Sequence, residues 1–182
     1  METSVQKKFP RFVPKDKSLF FPTLQKRVND HFKEKGISKN ANGAMVVNTI
    51  VLLLAFIIPV LMINLMALQT WAVLVLFSLM GFALAGIGMS IMHDANHGAY
   101  SKKQKVNNWL GYSLNLIGGM VFNWKLQHNV LHHTYTNVHN VDDDIANKLI
   151  LRFSPHSDPK KVHRFQFIYV FFFYAILTLY WA

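Results

Sequence analysis

Polar and apolar residues are sorted into blocks along this chain, not mixed as in a soluble globule. No Asp, Glu, Lys or Arg falls in residues 45–92 or 165–182. The 24 residues of 45–68 would make about 36 Å of helix at ~1.5 Å per residue, enough to cross a ~30 Å hydrocarbon core. Residues 71–92 form a second stretch nearly as long, and only Gln69 and Thr70 separate the two. The pattern predicts an all-α membrane protein built on a tight transmembrane hairpin. Residues 165–182 begin a third span, inside which the sequence reads as cut off.

Between these blocks the periodicity is helical. Val106, Trp109, Leu110, Leu114, Ile117 and Val121 recur at three- and four-residue steps with Asn107, Asn108 and Asn115 between them. That predicts a helix lying in the membrane interface, with Gly118 and Gly119 as its break. Residues 23–35 read as a short helix ending near Gly36, after a Pro-containing basic lead-in. The expected organisation is a lead-in over 1–44 and a membrane region over 45–182. Pro59 is a candidate kink that a membrane helix tolerates. Gly86, Ser90, His93 and His97 share one helical stripe, whose small residues suit close approach of another helix or a slot for an acyl chain.

Charge orients the hairpin. Residues 1–44 carry ten Lys/Arg against four Asp/Glu, residues 93–164 carry nine against five, and the turn carries none. The positive-inside rule puts both basic blocks in the cytoplasm. The net charge of +10 then reflects topology and contact with anionic lipid, and no nucleic-acid motif accompanies it. The polar first 44 residues lack a signal-peptide core, so 45–68 is read as a retained anchor. With no cysteine, disulfides, iron–sulfur clusters and thiolate chemistry are excluded, leaving histidine and carboxylate as ligands.

Histidine is concentrated where the charge-free windows end. His93 and His97 stand four residues apart, a helical spacing that places two imidazoles on one face. His128 and His132 repeat the spacing, and His133 adds a third ring about 100° round the helix. Five imidazoles exceed the needs of one zinc ion, which favours two metal ions, and imidazole alone does not choose among iron, zinc, copper and nickel. Asp94 makes the first cluster resemble the zinc-protease motif His-Glu-x-x-His, but the shorter acid and the second cluster argue against it.

His-Asp-Ala-Asn-His-Gly-Ala-Tyr at 93–100, and the run from Trp124 through His128, His132 and His133 to Asn137 with Asp142, Asp143 and Asp144 beyond, closely resemble the first two histidine boxes of the membrane fatty acid desaturases, of the acyl-CoA or acyl-lipid, linoleoyl-type branch. The resemblance covers about 40–182. It implies a di-iron centre of two iron ions with His93, His97, His128, His132 and His133 as ligands. It also implies O2 and two electrons as co-substrates, and a cis double bond introduced into a fatty acyl chain on acyl-CoA or an acyl-lipid. Asp94, Asn96, Asn137, Asp142, Asp143 and Asp144 are then candidates for holding imidazole tautomers. His139 is a weaker candidate ligand.

The third histidine box of that family is absent from these 182 residues, so this polypeptide alone is expected to be inactive. No His-Pro-Gly-Gly haem motif is present, which implies an external electron donor, a ferredoxin or a cytochrome b5 with its reductase. The alternatives are a related hydroxylase or ketolase, a non-catalytic truncated membrane protein, and a metal transporter, which the lack of ionisable residues in the spans disfavours. His31, His156 and His163 are expected at the solvated or headgroup surface. Trp71, Trp109, Trp124 and Trp181 are expected to be interfacial anchors.

Overall fold

The computed structural model describes residues 9–12, 19–146 and 150–176. Among these, regular structure is helical, with no β-strand. Contacts divide the chain into two compact units, Phe21–Val121 and a second formed by Met1–Phe20 with Phe122–Ala182.

The first unit opens with α1, Phe20–Glu34, three residues earlier than the predicted start. Pro22 lies in the first turn, where its missing N–H removes no helical bond. Gly36, at φ 62°, ends the helix in the left-handed conformation. Helix α2, Gly43–Leu65, is capped by Asn42, whose side chain accepts the Met45 N–H at 3.0 Å. It runs on through Pro59, which is buried.

Residues 66–69 turn the chain into α3, Thr70–Asn96. The connection is longer than the expected Gln69-Thr70 because Met66 already adopts an extended backbone (φ −123°, ψ 144°). Helices of 23 and 27 residues measure about 35 and 40 Å at ~1.5 Å per residue, so both can cross a bilayer and the end of α3 overshoots it. Large apolar side chains point outward along both, Phe82 being 80% exposed. In water such a surface would be an anomaly, and in lipid it is solvation.

The two helices come close together at Gly86. A Cβ on Gly86 would lie 2.7 Å from Leu52 Cδ2, whereas Gly81 and Gly88 face open space. The small-residue stripe thus serves close helix approach at Gly86. Directly after it, Ile87–Met92 widens into a π-helical turn. Ile87 and Ile91 in that turn are fully buried, with Ala83, Ala95 and Leu114 nearby in the buried set. The turn packs against α2 and against two short helices, α4 (Gln104–Gly111) and α5 (Ser113–Leu116).

The predicted interfacial helix is therefore present in two pieces. Tyr112 caps α4, and Gly118, at φ 92°, ends the segment at the expected glycine break. Two buried groups fix the pieces. Asn107 donates to Ser101 O and accepts from Ser101 N, both at 2.8 Å. Gly111 lies so close to Asn96 that a Cβ would sit 2.4 Å from its Oδ1.

Helix α6 spans residues 121–135, all but the first of them in the second unit, with a π-helical stretch Lys125–His132 at its centre. A turn through Asn137 and Asn140, both in the left-handed region (φ 62° and 64°), leads to a short 3-10 helix, Asp143–Ile145. Gln166 pairs twice with the Arg152 backbone, at 2.8 and 3.0 Å. It begins α7, Gln166–Ala175. The predicted third span of 165–182 starts here, and its last six residues, with Trp181, lie outside the described residues.

Candidate metal centre

His93 and His97 occupy the last turn of α3 and its end. The His97 N–H still donates to His93 O at 3.0 Å, which keeps the two residues in helical register. Their rings approach edge to face with centroids 4.5 Å apart. Gly98, at φ 72°, closes the helix, and Asp94 O then accepts from Ala99 N at 2.8 Å. The turn is thus held at both ends, by the buried π-helical turn before it and by this reversal after it. Asp94 Oδ1 lies 3.2 Å from His93 Nδ1. A proton shared on that side leaves the lone pair of the His93 ring on Nε2. Asn96 is buried and donates to Gly111 O at 3.4 Å, joining the turn to α4.

The second cluster is arranged differently. Because Lys125–His132 is π-helical, residues five apart come together in addition to residues four apart. His128 Nε2 and His133 Nε2 are 3.3 Å apart, with ring centroids at 4.8 Å, whereas the His128 and His132 centroids are 5.5 Å apart. The reading from i, i+4 spacing placed His133 100° away; the wider turn brings it to His128. Trp124 stacks on His128 at 4.4 Å with an interplanar angle of 24°. In the sequence Trp124 opens the run that resembles the second histidine box and is expected as an interfacial anchor; its spacing of four from His128 is the signal for the stacking. Trp71 and Trp109 remain highly exposed, at 70% and 83%.

The three consecutive aspartates separate into distinct places. The Asp142 side chain is fully buried, with both oxygens 3.2 Å from His132 Nδ1. It also accepts from Asn137 N at 2.8 Å and Asp144 N at 3.0 Å. Burial pushes its carboxyl up, but the Asn137 N–H, the His132 ring and the Asp144 N–H outweigh that and hold it below the ordinary carboxylate range. Asp144 Oδ2 is also 3.2 Å from His132 Nδ1, though this side chain is half exposed. His132, Asp142 and Asp144 bring one ligand atom each within 4.8 Å of one another. Asp143 starts the 3-10 helix beside them. Asn137 contributes its backbone N–H and the left-handed turn that folds Asp142 back onto α6, a conformation asparagine tolerates better than most residues.

The remaining histidines make other local contacts. His139 is exposed and pairs ring to ring with exposed His156 at 5.3 Å. His31 is exposed on α1, and His163 Nδ1 accepts the Lys160 N–H at 2.9 Å.

Two membrane-length helices, with imidazole clusters at the end of one and on a π-helical turn, define a helical membrane protein with grouped histidines. The family profile described as fatty acid desaturase matches residues 69–182, and the chain belongs to that family. The chain is 34% identical over 163 residues to the sn-1 linoleoyl-lipid 6-desaturase of Arthrospira platensis, covering 90% of this chain and 44% of that protein. It is 32% identical to the protein of the same name in Synechocystis sp., over 89% of this chain and 45% of the relative. Against the acyl-lipid (8-3)-desaturase of Physcomitrium patens it is 34% identical, over 88% and 34%. The chain thus spans less than half the length of these relatives. No solved structure matches it.

Proposed function

We propose that this chain supplies the first two histidine boxes of a di-iron membrane desaturase that introduces a cis double bond into a fatty acyl chain. The observation that carries the proposal is the His132–Asp142 pair: a buried carboxylate on Nδ1 leaves Nε2 as the free lone pair, the arrangement that second partners impose on metal-binding histidines. The donor set fits the metal. His93, His97, His128, His132 and His133 offer neutral nitrogen without thiolate, which suits iron and leaves positions open for other ligands. The 3.3 Å between His128 Nε2 and His133 Nε2 is close to what two nitrogens each ~2.1 Å from one ion require.

Iron held by these histidines would supply activation of O2, so that two hydrogens from an unactivated methylene pair, two electrons from an external ferredoxin or cytochrome b5 and two protons would leave as two waters. The chain's own residues do the holding. Asp142 and Asp144 keep the His132 proton on Nδ1, and Asp94 does the same for His93. Trp124 restricts rotation of the His128 ring. Residues 45–182 belong to the membrane catalytic domain, with 1–44 as its lead-in. The basic blocks support a cytoplasmic location for both boxes. The relatives' names favour an acyl chain carried on a lipid as substrate.

The test is iron per chain after purification in detergent, alongside lipid analysis of cells expressing the complete coding frame with a reductase. Stoichiometric iron that His132→Ala removes, together with new cis double bonds in the extract, is the expected result. Iron content unchanged by His132→Ala would refute the ligand assignment. Iron without any new unsaturated product would refute the reaction.

A further inference from the structure

Helix α1 has no buried residue. Phe21, Leu24 and Val28 recur at steps of three and four, with Phe32 four further on, so they line one side of the helix. Phe21, Leu24 and Val28 are 69%, 46% and 45% exposed. Lys26 and Lys33 fall on the opposite side and Arg27 at its edge. A helix this short gains little from propensity alone, and an apolar stripe left in water would cost free energy without return.

Where α1 stands says what covers the stripe. The strap that follows it, residues 37–42, is tied at both ends. Lys39 bonds the Asn29 side chain and lies 5.9 Å over the Phe32 ring, fixing the strap to α1. Asn40 Nδ2 donates to Ala99 O at 2.8 Å and Ala41 N to Tyr100 O at 2.9 Å, fixing it to the segment just after α3. Thr49 of α2 bonds the Tyr100 hydroxyl at 2.7 Å, so the strap, α2 and the end of α3 share one junction. That junction is where both membrane helices leave their charge-free windows. Helix α1 is therefore held at the level of the lipid headgroups.

We propose that α1 is an interfacial membrane helix, its Phe21, Leu24 and Val28 stripe seated at the boundary between headgroups and acyl chains of an anionic bilayer. The charge complements such a surface. Residues 20–39 carry five Lys/Arg against two Asp/Glu, and Lys26 and Lys33 extend from the side away from the stripe towards phosphate and water. The inference depends on the membrane hairpin and not on iron binding or catalysis.

The chain has no cysteine, so single substitutions Phe21→Cys, Leu24→Cys, Val28→Cys, Lys26→Cys and Lys33→Cys each accept one spin label without background. In nanodiscs of mixed phosphatidylcholine and phosphatidylglycerol, labels at 21, 24 and 28 should meet dissolved oxygen several-fold more than a water-soluble nickel chelate. Labels at 26 and 33 should show the reverse. Leu24→Asp combined with Val28→Asp should expose the label at 21 to nickel, while a control label replacing Phe77 stays in lipid. Labels at all five sites that meet nickel alike would overturn the proposal. Labels at 21, 24 and 28 shielded from both reagents would also overturn it, since a protein surface would then cover the stripe.

Discussion

The two histidine clusters are held by opposite strategies. The turn carrying His93 and His97 is fixed from beneath, by a buried π-helical turn, the Gly98 reversal and the close packing of Gly111 on Asn96; its carboxylate, Asp94, is the next residue and is 36% exposed. The cluster on α6 has no buried residue in its π-helical stretch. Its order comes from side chains brought in from elsewhere, Trp124 on one ring and Asp142, ten residues downstream, on another. In the first cluster the backbone positions the imidazoles. In the second, hydrogen bonds and stacking do. The two should respond to different substitutions.

The largest effect is expected at Asp142. Asp142→Ala removes the partner of His132 Nδ1 and leaves the Asn137 and Asp144 N–H groups without their carboxylate. Iron affinity should fall about 10- to 100-fold, the usual loss when a ligand's outer partner is removed. The unpaired N–H groups should cost about 1–3 kcal/mol of stability each if they stay buried. Iron titration and thermal unfolding in detergent check both. Unchanged affinity would mean that His132 is oriented by its own helix, as His93 is, and the contrast between the clusters would disappear.

Next in size is Gly111→Ala. The new methyl would lie 2.4 Å from Asn96 Oδ1, and buried Asn96 cannot swing away without giving up Gly111 O. Overpacking of this kind costs about 1–3 kcal/mol. The loss should appear as a lower unfolding temperature, with any iron defect confined to the proposed ligands on α3. Trp124→Leu should be milder: the ring that stacks on His128 is lost, apolar contact is retained, and stacking is worth about 0.5–1.5 kcal/mol beyond buried area. Iron should be released faster from the variant, with little change in the unfolding temperature.

These contrasts mark where the sequence was legible and where it was not. The membrane hairpin was readable because charge is excluded from 45–92, a signal that survives any detail of packing. Its ends shifted by one to four residues because caps and turns are local chemistry: Asn42 starts α2 early and Met66 ends it early. The histidine spacing was equally plain, but its geometry was not. Helical periodicity assumes 3.6 residues per turn, and both clusters adjoin π-helical turns that the pattern cannot distinguish from α. The run Asp142–Asp143–Asp144 gave no means of ranking its members. The distinction arises from Asn137 and Asn140 at positive φ, which turn the chain so that only Asp142 is carried into the interior.

The smallest expected effect tests the comparison most sharply. Asp94→Asn keeps the size of the side chain and a hydrogen-bonding group beside His93 Nδ1, and removes only the charge. The His93–Asp94 contact is about two-fifths exposed on either side, so water can replace much of what the carboxylate gives, and exposed pairs of this kind contribute about 0–1 kcal/mol. The Asp94 backbone carbonyl, which accepts from Ala99 and Tyr100 and closes the turn, is untouched by the substitution. Iron affinity should therefore change by no more than about fivefold, the equivalent of ~1 kcal/mol. The same exchange at buried Asp142, made in parallel, should cost much more. Equal losses at the two positions would show that the carboxylate on Nδ1, and not the packed turn beneath it, governs the first cluster as well.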